Sequence, residues 1–194
     1  MGSFFNSAYI GRPPWDIGRP QIEFKRMAEA REITGRVLDV GCGTGENALY
    51  IASLGHKVSG IDISPLAIRR AEVKARERGL DVQFEVWDAL EMDRLRRRFD
   101  AVVDSGLFHI FTDEERPRFV KGLRAVLFPG GTYQMLCFSE SEPKSWGGPR
   151  RVSRAEIRQT FGPGWRINHI REAVFETNFH SEGGRAWLSS IIRL

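Results

Sequence analysis

A glycine-rich turn and an acidic residue have the types and spacing of a ligand-binding site. The turn is the segment 39–45, DVGCGTG, which lies at the end of the apolar segment 36–40. Glycines at the end of a strand let a ligand approach the backbone closely. Asp62 follows them at about 20 residues, the distance at which an acidic residue accepts hydrogen bonds from ribose hydroxyls in dinucleotide-binding folds. The two features together predict a site for an adenosine-containing ligand.

The glycine spacing and the charges beside it distinguish between two such ligands. The spacing is G-x-G-x-G, not the G-x-G-x-x-G that places a pyrophosphate at a helix N-terminus. Glu46 opens the following helix, where its charge is poorly placed beside a pyrophosphate. Asp39 precedes the glycines, where an acid suits a cation such as the amino group of a methionine moiety. These features favour S-adenosylmethionine as the cofactor and disfavour an NAD-dependent oxidoreductase.

Two titratable residues after a later strand, Asp104 and His109, are the candidates for catalysis. If the bound S-adenosylmethionine serves as a methyl donor, the transfer from its sulfonium is an in-line displacement, and the protein must hold the nucleophile roughly 3 Å from the methyl carbon and exclude water. A thiolate or a halide needs no base, whereas a phenol or an alcohol benefits from one. His109 titrates near neutrality and is the candidate base, unless it only packs the loop. Asp104 is the second candidate, unless it only orients that loop.

Alternating strand and helix patterns position these residues. Apolar strands alternate with helices from residue 36 to about 138, the fifth strand covering 131–139. The last two strands, around 165–175 and 185–193, lack a crossover helix and are expected to pair as an antiparallel hairpin. The pattern predicts an α/β fold with a Rossmann-like, doubly wound, mostly parallel sheet. Three helix starts carry capping signals, namely Ser64-Pro65, Thr112-x-x-Glu115 and Ser153-x-x-Glu156.

The chain length of 194 residues fits one domain, which we divide into an N-terminal arm over 1–32 and a Rossmann-like core over 33–194. The first 19 residues contain Phe4, Phe5, Tyr9 and Trp15, and this aromatic content predicts that the arm covers something. Phe4, Tyr9, Phe108 and Phe111 are candidates for an apolar substrate pocket or for the core. The segment 139–151 is polar, contains Pro and Gly, and is expected to form a long loop.

The composition of the chain limits which other functional classes it can belong to. The net charge of +4 invites a nucleic-acid interpretation, but the densest basic cluster, Arg94 with Arg96–Arg98, has no interleaved aromatics and favours a solvated surface. No apolar run is long enough to span a bilayer and no secretory signal is visible, so no membrane partner is predicted. Cys42 and Cys137 have neither disulfide-framework nor metal-ligand spacing. We expect a cytoplasmic protein without a metal site.

The residues as a set resemble a known family. The segments VLDVGCGTGENALYIA, GIDIS, VWDAL and FDAVVDSGLFH resemble, in order, the motifs of class I S-adenosylmethionine-dependent methyltransferases over residues 36 to about 138. This resemblance implies a seven-stranded sheet whose last strand is antiparallel. The segment 14–21, PWDIGRPQ, resembles a segment ahead of the core in small-molecule methyltransferases of the thiopurine, thiol and halide type.

The resemblance also implies roles for single residues in cofactor binding. Asp39, Gly41 and Gly43 would face the methionine part. Asp62 would hold the ribose hydroxyls. The remaining roles are implied for Ile63 and Trp87 near the adenine, Asp88 and Ala89 at its amino edge, Ser105 near the sulfonium, and Trp15 as a lid over the cofactor. From the sequence alone, Trp87 could instead be core, Asp88 a helix cap, and Trp15 a surface anchor of the arm.

These features predict an S-adenosylmethionine-dependent methyltransferase that transfers a methyl group to a sulfur, oxygen or nitrogen atom of a small molecule. The first alternative is a nucleic-acid methyltransferase. It is disfavoured because the segment 104–107, DSGL, stands where base-amino methyltransferases carry an Asn/Asp-Pro-Pro-aromatic motif. The second alternative is a non-catalytic S-adenosylmethionine-binding protein. A small-molecule acceptor is the expected partner, and a monomer or a homodimer is the expected assembly.

Overall fold

One sheet forms the centre of the molecule. The computed structural model describes residues 2–143, 145 and 147–194. Within this part of the chain the sheet has seven strands, in the order β3-β2-β1-β4-β5-β7-β6. The strands are β1 (Arg36–Val40), β2 (Lys57–Asp62), β3 (Val82–Val86), β4 (Phe99–Ser105), β5 (Leu127–Phe138), β6 (Trp165–Phe175) and β7 (Gly184–Arg193).

The strand directions confirm the predicted fold class. Strands β1 to β5 pair in parallel with their neighbours, and β7 lies antiparallel between β5 and β6. The chain order reverses between β1 and β4, which pair directly with Leu38 opposite Val102. This reversal is the switch point beside which open α/β sheets bind ligands, at the carboxyl ends of the strands.

Helices cover both faces of the sheet. Two of the predicted caps form: the Ser64 hydroxyl accepts a hydrogen bond from the Ala67 N–H, and Ser153 and Glu156 form a reciprocal capping box. Thr112 and Glu115 exchange the same pair of bonds, at 2.9 and 3.3 Å, but the following helix begins only at Glu115. The helices are α1 (Gly2–Ala8), α2 (Ile22–Glu29), α3 (Glu46–Ser53), α4 (Pro65–Glu77), α5 (Glu115–Val126) and α6 (Arg154–Thr160), with short 3₁₀ turns at Ala89–Arg94 and Phe108–Ile110. None of the helices in the described part of the chain has the length and hydropathy needed to cross a bilayer.

The core has two halves, one on each face of the sheet. One half contains Phe119 and Leu123 of α5 packed with Tyr133 of β5. The other half contains Leu49 of α3 and Ile68 of α4. Burial of these side chains removes apolar surface from water on both faces, which explains why the central strands β1 and β4 are buried along almost their whole length.

Two details differ from the sequence prediction. The arm contains helices α1 and α2, whose short patterns were not recognised in the sequence. Strand β5 begins at Leu127 and not at 131, because Leu127 already pairs with Phe99 before a register irregularity that precedes Ala101. The segment 128–131, FPGG, was predicted to end the preceding helix. It instead forms a bend within β5, because the helix already ends at Val126.

Candidate active site

A large cavity lies at the carboxyl ends of the parallel strands, beside the switch point. Its volume is about 880 Å³. This lies in the upper part of the roughly 300–1,000 Å³ range of small-molecule sites. Its walls come from the glycine turn, the ends of β2, β4, β5 and β6, the arm, and the segments that precede α5 and follow β5.

Asp62 is fixed by the glycine turn that it faces. Its two carboxylate oxygens accept hydrogen bonds from the backbone N–H groups of Gly43 (2.9 Å) and Ser64 (2.8 Å). Gly43 has φ +54°, and a Cβ there would meet the hydroxyl of Tyr9 at 2.6 Å, so the position requires glycine. Burial raises the pKa of Asp62, although the two backbone bonds act in the opposite direction. The buried carboxylate lines the cavity and can accept hydrogen bonds from a ligand.

Asp39 lies behind the glycine turn with one carboxylate oxygen unsatisfied. Its Oδ2 accepts the Ala48 N–H at 3.1 Å, whereas Oδ1 is buried with no hydrogen-bond partner among the described residues. Burial raises its pKa to about 8, and the carboxylates of Asp104 and Asp62 add to the rise. An unpartnered buried carboxylate is costly. It therefore fits a ligand that brings a cationic donor group to this end of the site.

A second, smaller cavity of about 50 Å³ adjoins the first one at this end. Gly41, Ser105, Tyr9 and Trp15 line both cavities, whereas Gly43 lines only the smaller one. The glycine turn therefore separates a narrow polar end from a wide apolar end. A ligand with a small charged head and a larger body would match this shape.

The opposite wall combines an aliphatic and an aromatic side chain. Ile63 and Trp87 follow β2 and β3, and both line the large cavity. The Trp87 Nε1–H donates to the Glu91 carbonyl at 3.1 Å, which fixes the indole. Asp88 lines the cavity with Ala89, and its Oδ1 also accepts the Leu90 N–H at 2.9 Å. Asp88 is thus both a cap of the 3₁₀ turn and a wall of the cavity.

The arm closes over the site and is fixed at its helical end. The Asn6 side-chain oxygen accepts hydrogen bonds from the Ser64 hydroxyl (3.0 Å) and the Leu66 N–H (3.1 Å), at the N-terminus of α4. Trp15 is 36% exposed and donates from Nε1 to the Tyr9 hydroxyl at 2.9 Å. The arm therefore places an aromatic pair directly over the glycine turn.

The segment that follows Trp15 is tied to two other parts of the site. Asp16 accepts a hydrogen bond from the Thr44 hydroxyl of the glycine turn at 2.8 Å. Asn178 donates from its backbone N–H to the Pro14 carbonyl and from its side chain to the Asp16 carbonyl, both at 2.8 Å. Gln21 pairs through its amide with both backbone groups of Glu176. The PWDIGRPQ segment is thus the clamp that joins the arm, the glycine turn and the β6–β7 connection.

His109 lies in the deep apolar part of the cavity. Its Nδ1 accepts the Phe138 N–H at 3.1 Å, and its ring stacks on that of Phe138 with centroids 5.1 Å apart and contacts the ring of Phe175. Burial lowers its pKa to about 3, and the nearby charges of Arg151 and Arg116 lower it further. Because Nδ1 is an acceptor, the neutral ring carries its proton on Nε2. His109 is therefore arranged as a donor at neutral pH.

Asp104 is fully buried behind the loop that carries His109. It accepts hydrogen bonds from the backbone N–H groups of Leu107 (2.7 Å) and Phe108 (3.1 Å), and from the Tyr133 hydroxyl (2.5 Å). Burial raises its pKa to about 7, and these bonds act against the rise. Asp104 is not among the described residues that line the cavity. The geometry favours a role in orienting the loop, and direct catalysis by Asp104 stays a prediction that no observation tests.

Most residues singled out from the sequence lie around one cavity. Gly43 lines the adjoining small cavity, and Asp39 and Asp104 lie behind the walls. Phe4, Tyr9 and Phe111 line the large cavity, whereas Phe108 is core. Phe138 and Phe175 were missed, because nothing distinguishes these strand-end aromatics from core until the strands are paired. The predicted residues on the wall of the large cavity are Trp15, Gly41, Asp62, Ile63, Trp87, Asp88, Ala89, Ser105 and His109.

Comparison with known proteins identifies the family of this chain. Residues 37–131 match the methyltransferase domain family. The chain is 36% identical over 188 residues to the 2-heptyl-1-hydroxyquinolin-4(1H)-one methyltransferase of Mycobacteroides abscessus, covering 92% of this chain and 83% of that protein. It is 31% identical over 170 residues to the probable thiol methyltransferase 2 of Arabidopsis thaliana, covering 84% of this chain and 72% of that protein.

A solved structure supports the same relationship. It comes from a study of the conversion of a disulfide bond into a thioacetal group during echinomycin biosynthesis. The TM-score is 0.89 at 36% identity, with coverage of 100% of this chain and 93% of that one. The chain belongs to the S-adenosylmethionine-dependent methyltransferases, and S-adenosylmethionine is its cofactor.

The residues of the site fit this cofactor. The unpartnered Oδ1 of Asp39 can accept a hydrogen bond from an ammonium group such as that of the methionine part, and the cavity-lining carboxylate of Asp62 can accept hydrogen bonds from ribose hydroxyls. In the described ranges no three residues of the types His, Cys, Asp and Glu are grouped closely enough to hold a metal ion.

Proposed function

We propose that this protein transfers a methyl group to an acidic heteroatom of an apolar, ring-containing small molecule, and that the acceptor reacts as its anion without a general base. The observation that carries this proposal is the neutral His109 at the deep end of the aromatic cavity, with Nδ1 already occupied by the Phe138 N–H. A ring in this state can donate from Nε2 but has no free nitrogen with which to accept a proton.

For the cofactor we propose the following arrangement. Asp39, Gly41 and Gly43 hold the methionine part, and Ser105 lies beside the sulfonium. Asp62 binds the ribose hydroxyls, as its place at the end of β2 supports. When bound, the cofactor supplies an electrophilic methyl group. The adenine is bound by Ile63, Trp87, Asp88 and Ala89, and Trp15 covers the cofactor from the arm.

The acceptor lies between this cofactor site and the aromatic end of the cavity. Phe138 and Phe175 form an apolar wall next to His109, which excludes water and suits a planar ring. The His109 Nε2–H donates to the acceptor and fixes its orientation for the in-line displacement. His109 is thus a binding and orienting group in this proposal, and its use as a base is the competing prediction.

The charges around His109 favour an anionic acceptor. Arg151 and Arg116 both disfavour a further positive charge at the imidazole, as their contribution to its lowered pKa shows. The same two charges stabilise a negative charge at that place. Arg116 is buried. Its Nη1 is paired with Glu156 at 3.3 Å and lies 3.8 Å from Asp113, whereas its Nε and Nη2 atoms have no hydrogen-bond partner among the described residues. An acceptor whose acidic group ionises near neutral pH would therefore bind as the anion.

The names of the relatives agree with such acceptors. The Mycobacteroides relative is named for a 1-hydroxyquinolinone and the Arabidopsis relative for thiols. A thiol has an unperturbed pKa of about 8.5 and ionises more readily than a phenol, with a pKa of about 10. We therefore propose N-hydroxy heteroaromatics and aromatic thiols as the acceptor classes for this chain. Its cytoplasmic location and its assembly as a monomer or homodimer stay predictions.

The test is release of S-adenosylhomocysteine with a panel of acceptors. The panel contains aromatic thiols, iodide, 1-hydroxyquinolin-4(1H)-ones, phenols and transfer RNA. We expect turnover with the thiols or the N-hydroxy compounds and slower turnover with phenols. Turnover with RNA alone would replace the proposal by nucleic-acid methylation. Tight binding of S-adenosylmethionine without turnover of any acceptor would point to a non-catalytic binding protein.

A further inference from the structure

The rim of the large cavity carries two exposed aromatic side chains. Phe4 of α1 is 67% exposed and Phe179 in the β6–β7 connection is 70% exposed. Both line the cavity. Large apolar side chains that are not needed for the core and that gather at the mouth of a cavity mark a binding surface. Neither residue belongs to the two halves of the core.

The two rim residues stand on anchored segments. Asn6 fixes α1, which carries Phe4, to the N-terminus of α4. Asn178, the neighbour of Phe179, is bonded to the Pro14 and Asp16 carbonyls of the arm at 2.8 Å each. The rim aromatics are therefore held towards the mouth by hydrogen bonds on both sides.

Aromatic contacts extend from the rim along the arm. The Phe4 ring contacts that of Phe5 at 5.3 Å between centroids, and Phe5 contacts Trp15 at 6.0 Å. Phe5 and Trp15 also line the cavity, whose inner end holds Phe175 beside His109. Aromatic side chains thus line the cavity both at the rim and at its inner end, and a long ligand could contact both sets.

The other side of the mouth is charged. Asp113 and Arg150 form an ion pair at 2.6 Å, and both line the cavity together with Thr112 and Glu114. These residues belong to the segment before α5 and to the segment after β5. The mouth therefore has an apolar side and a polar side, and an apolar group leaving the cavity is directed towards Phe4 and Phe179.

We propose that Phe4 and Phe179 bind an apolar substituent of the methyl acceptor, so that the preferred acceptors carry an alkyl chain on the side of the ring away from the reacting heteroatom. This inference rests on the proposed function, since the chain must belong to the molecule that is methylated. It makes the arm a determinant of acceptor specificity as well as a cover for the cofactor.

The experiment uses 4-alkylthiophenols with methyl, propyl, pentyl and heptyl chains. Their binding to the full chain loaded with S-adenosylhomocysteine is measured by calorimetry, and their turnover by S-adenosylhomocysteine release. We expect the dissociation constant to fall by about three- to fourfold for each methylene that reaches the rim, the effect of burying one such group. The double variant Phe4→Ala/Phe179→Ala should lose this dependence and bind the methyl compound unchanged.

Ile10→Ala is the matched control, because Ile10 is 76% exposed in the same arm but is not part of the described lining. It should keep the dependence on chain length. The inference would be overturned if the dissociation constant depended on chain length equally in the double variant, or did not depend on it in the unmodified protein. A loss of dimers in the double variant with unchanged dependence would also overturn it and make the rim a contact between two copies. Chain-dependent binding without any methyl transfer would instead contradict the proposed function and leave the rim as a ligand site.

Discussion

The backbone N–H of Phe138 donates a hydrogen bond to Nδ1 of His109 at 3.1 Å. This single contact decides which nitrogen of the ring can act on a ligand. The proton of the neutral imidazole lies on Nε2, and a second proton is disfavoured by burial and by two nearby arginine charges. His109 is thereby placed in the cavity as a donor, which is the reason why the proposed acceptor supplies its own anion.

Asp104 should control the position of His109 through the loop that carries it, since it binds the backbone of Leu107 and Phe108. Asp104→Asn replaces a carboxyl group, whose two oxygens accept hydrogen bonds from two backbone N–H groups and the Tyr133 hydroxyl, by an amide with a single acceptor oxygen. We expect the free energy of unfolding to fall by about 1–3 kcal/mol. The rate constant of turnover should fall as well. Urea denaturation and initial rates measure the two effects.

Tyr133→Phe is the milder control for this prediction. It removes one of the three bonds and leaves Leu107 and Phe108 bonded to the carboxylate. Its loss of stability should be smaller than that of Asp104→Asn, and its turnover should stay close to that of the unmodified protein. Unchanged stability and turnover in Asp104→Asn would show that the loop does not depend on the carboxylate.

The pH dependence of stability should reveal the protonation of Asp104. Burial raises its pKa in the folded state to about 7, above the unfolded value of about 3.9. The folded state therefore binds more protons, and the contribution of this group to stability is present below pH 4 and is lost as the pH rises through 7. The stability difference between the unmodified protein and Asp104→Asn should shrink between pH 4 and 7. A constant difference over this range would contradict the raised pKa.

Cofactor binding should be linked to the ionisation of Asp39. Burial raises the pKa of Asp39 to about 8 in the ligand-free protein, and a cationic ammonium group beside its Oδ1 would lower it. Binding should therefore release a proton and become tighter as the pH rises from 6 to about 7.5, where the ligand amine is still charged.

Calorimetry of S-adenosylhomocysteine binding in two buffers of different ionisation enthalpy measures the protons released. The Asp39→Asn variant should bind S-adenosylhomocysteine more weakly, and it should not release the proton that Asp39 releases in the unmodified protein. Equal proton release in Asp39→Asn would assign the linkage to another residue.

The sequence was sufficient for the sheet and the glycine turn, because their signals are local. Apolar strands, the capping residue Ser64 and the spacing from the glycines to Asp62 all lie within short segments. The predicted start of β5 was wrong, because Leu127 pairs with Phe99 although the segment 128–131 has the composition of a turn.

The state of His109 could not be read from the sequence. Its partner Phe138 is 29 residues away and reaches it only after β4 and β5 have paired. From the sequence it was possible to predict a histidine at the correct edge of the sheet. It was not possible to predict its tautomer or its burial, which decide its chemistry. The hydrogen bond by which Gln21 of the clamp binds Glu176 likewise joins residues 155 positions apart.

The contact between the arm and the glycine turn should contribute to cofactor affinity. Asp16→Ala removes the hydrogen bond from the Thr44 hydroxyl, which is one of the ties that hold the arm over the site. A typical hydrogen bond contributes about 1 kcal/mol, so we expect roughly fivefold weaker binding of S-adenosylhomocysteine. Calorimetry gives the dissociation constant. Ile10→Ala, an exposed substitution in the same arm, should not change it, and an unchanged constant in Asp16→Ala would show that the arm closes independently of this bond.

Methyl transfer by this protein should need the His109 donor but no protein base. The most direct test is the pH dependence of kcat/KM for two aromatic thiols of different pKa, in the unmodified protein and in His109→Gln and His109→Leu. The glutamine can accept the Phe138 N–H and donate to the acceptor, but it cannot take up a proton. We predict that the acidic limb follows the pKa of the thiol, that His109→Gln keeps this limb and most of the activity, and that His109→Leu loses affinity for the acceptor. A limb fixed near one pH for both thiols, with a loss of about 10²–10⁴-fold in His109→Gln, would identify His109 as a general base and contradict the claim.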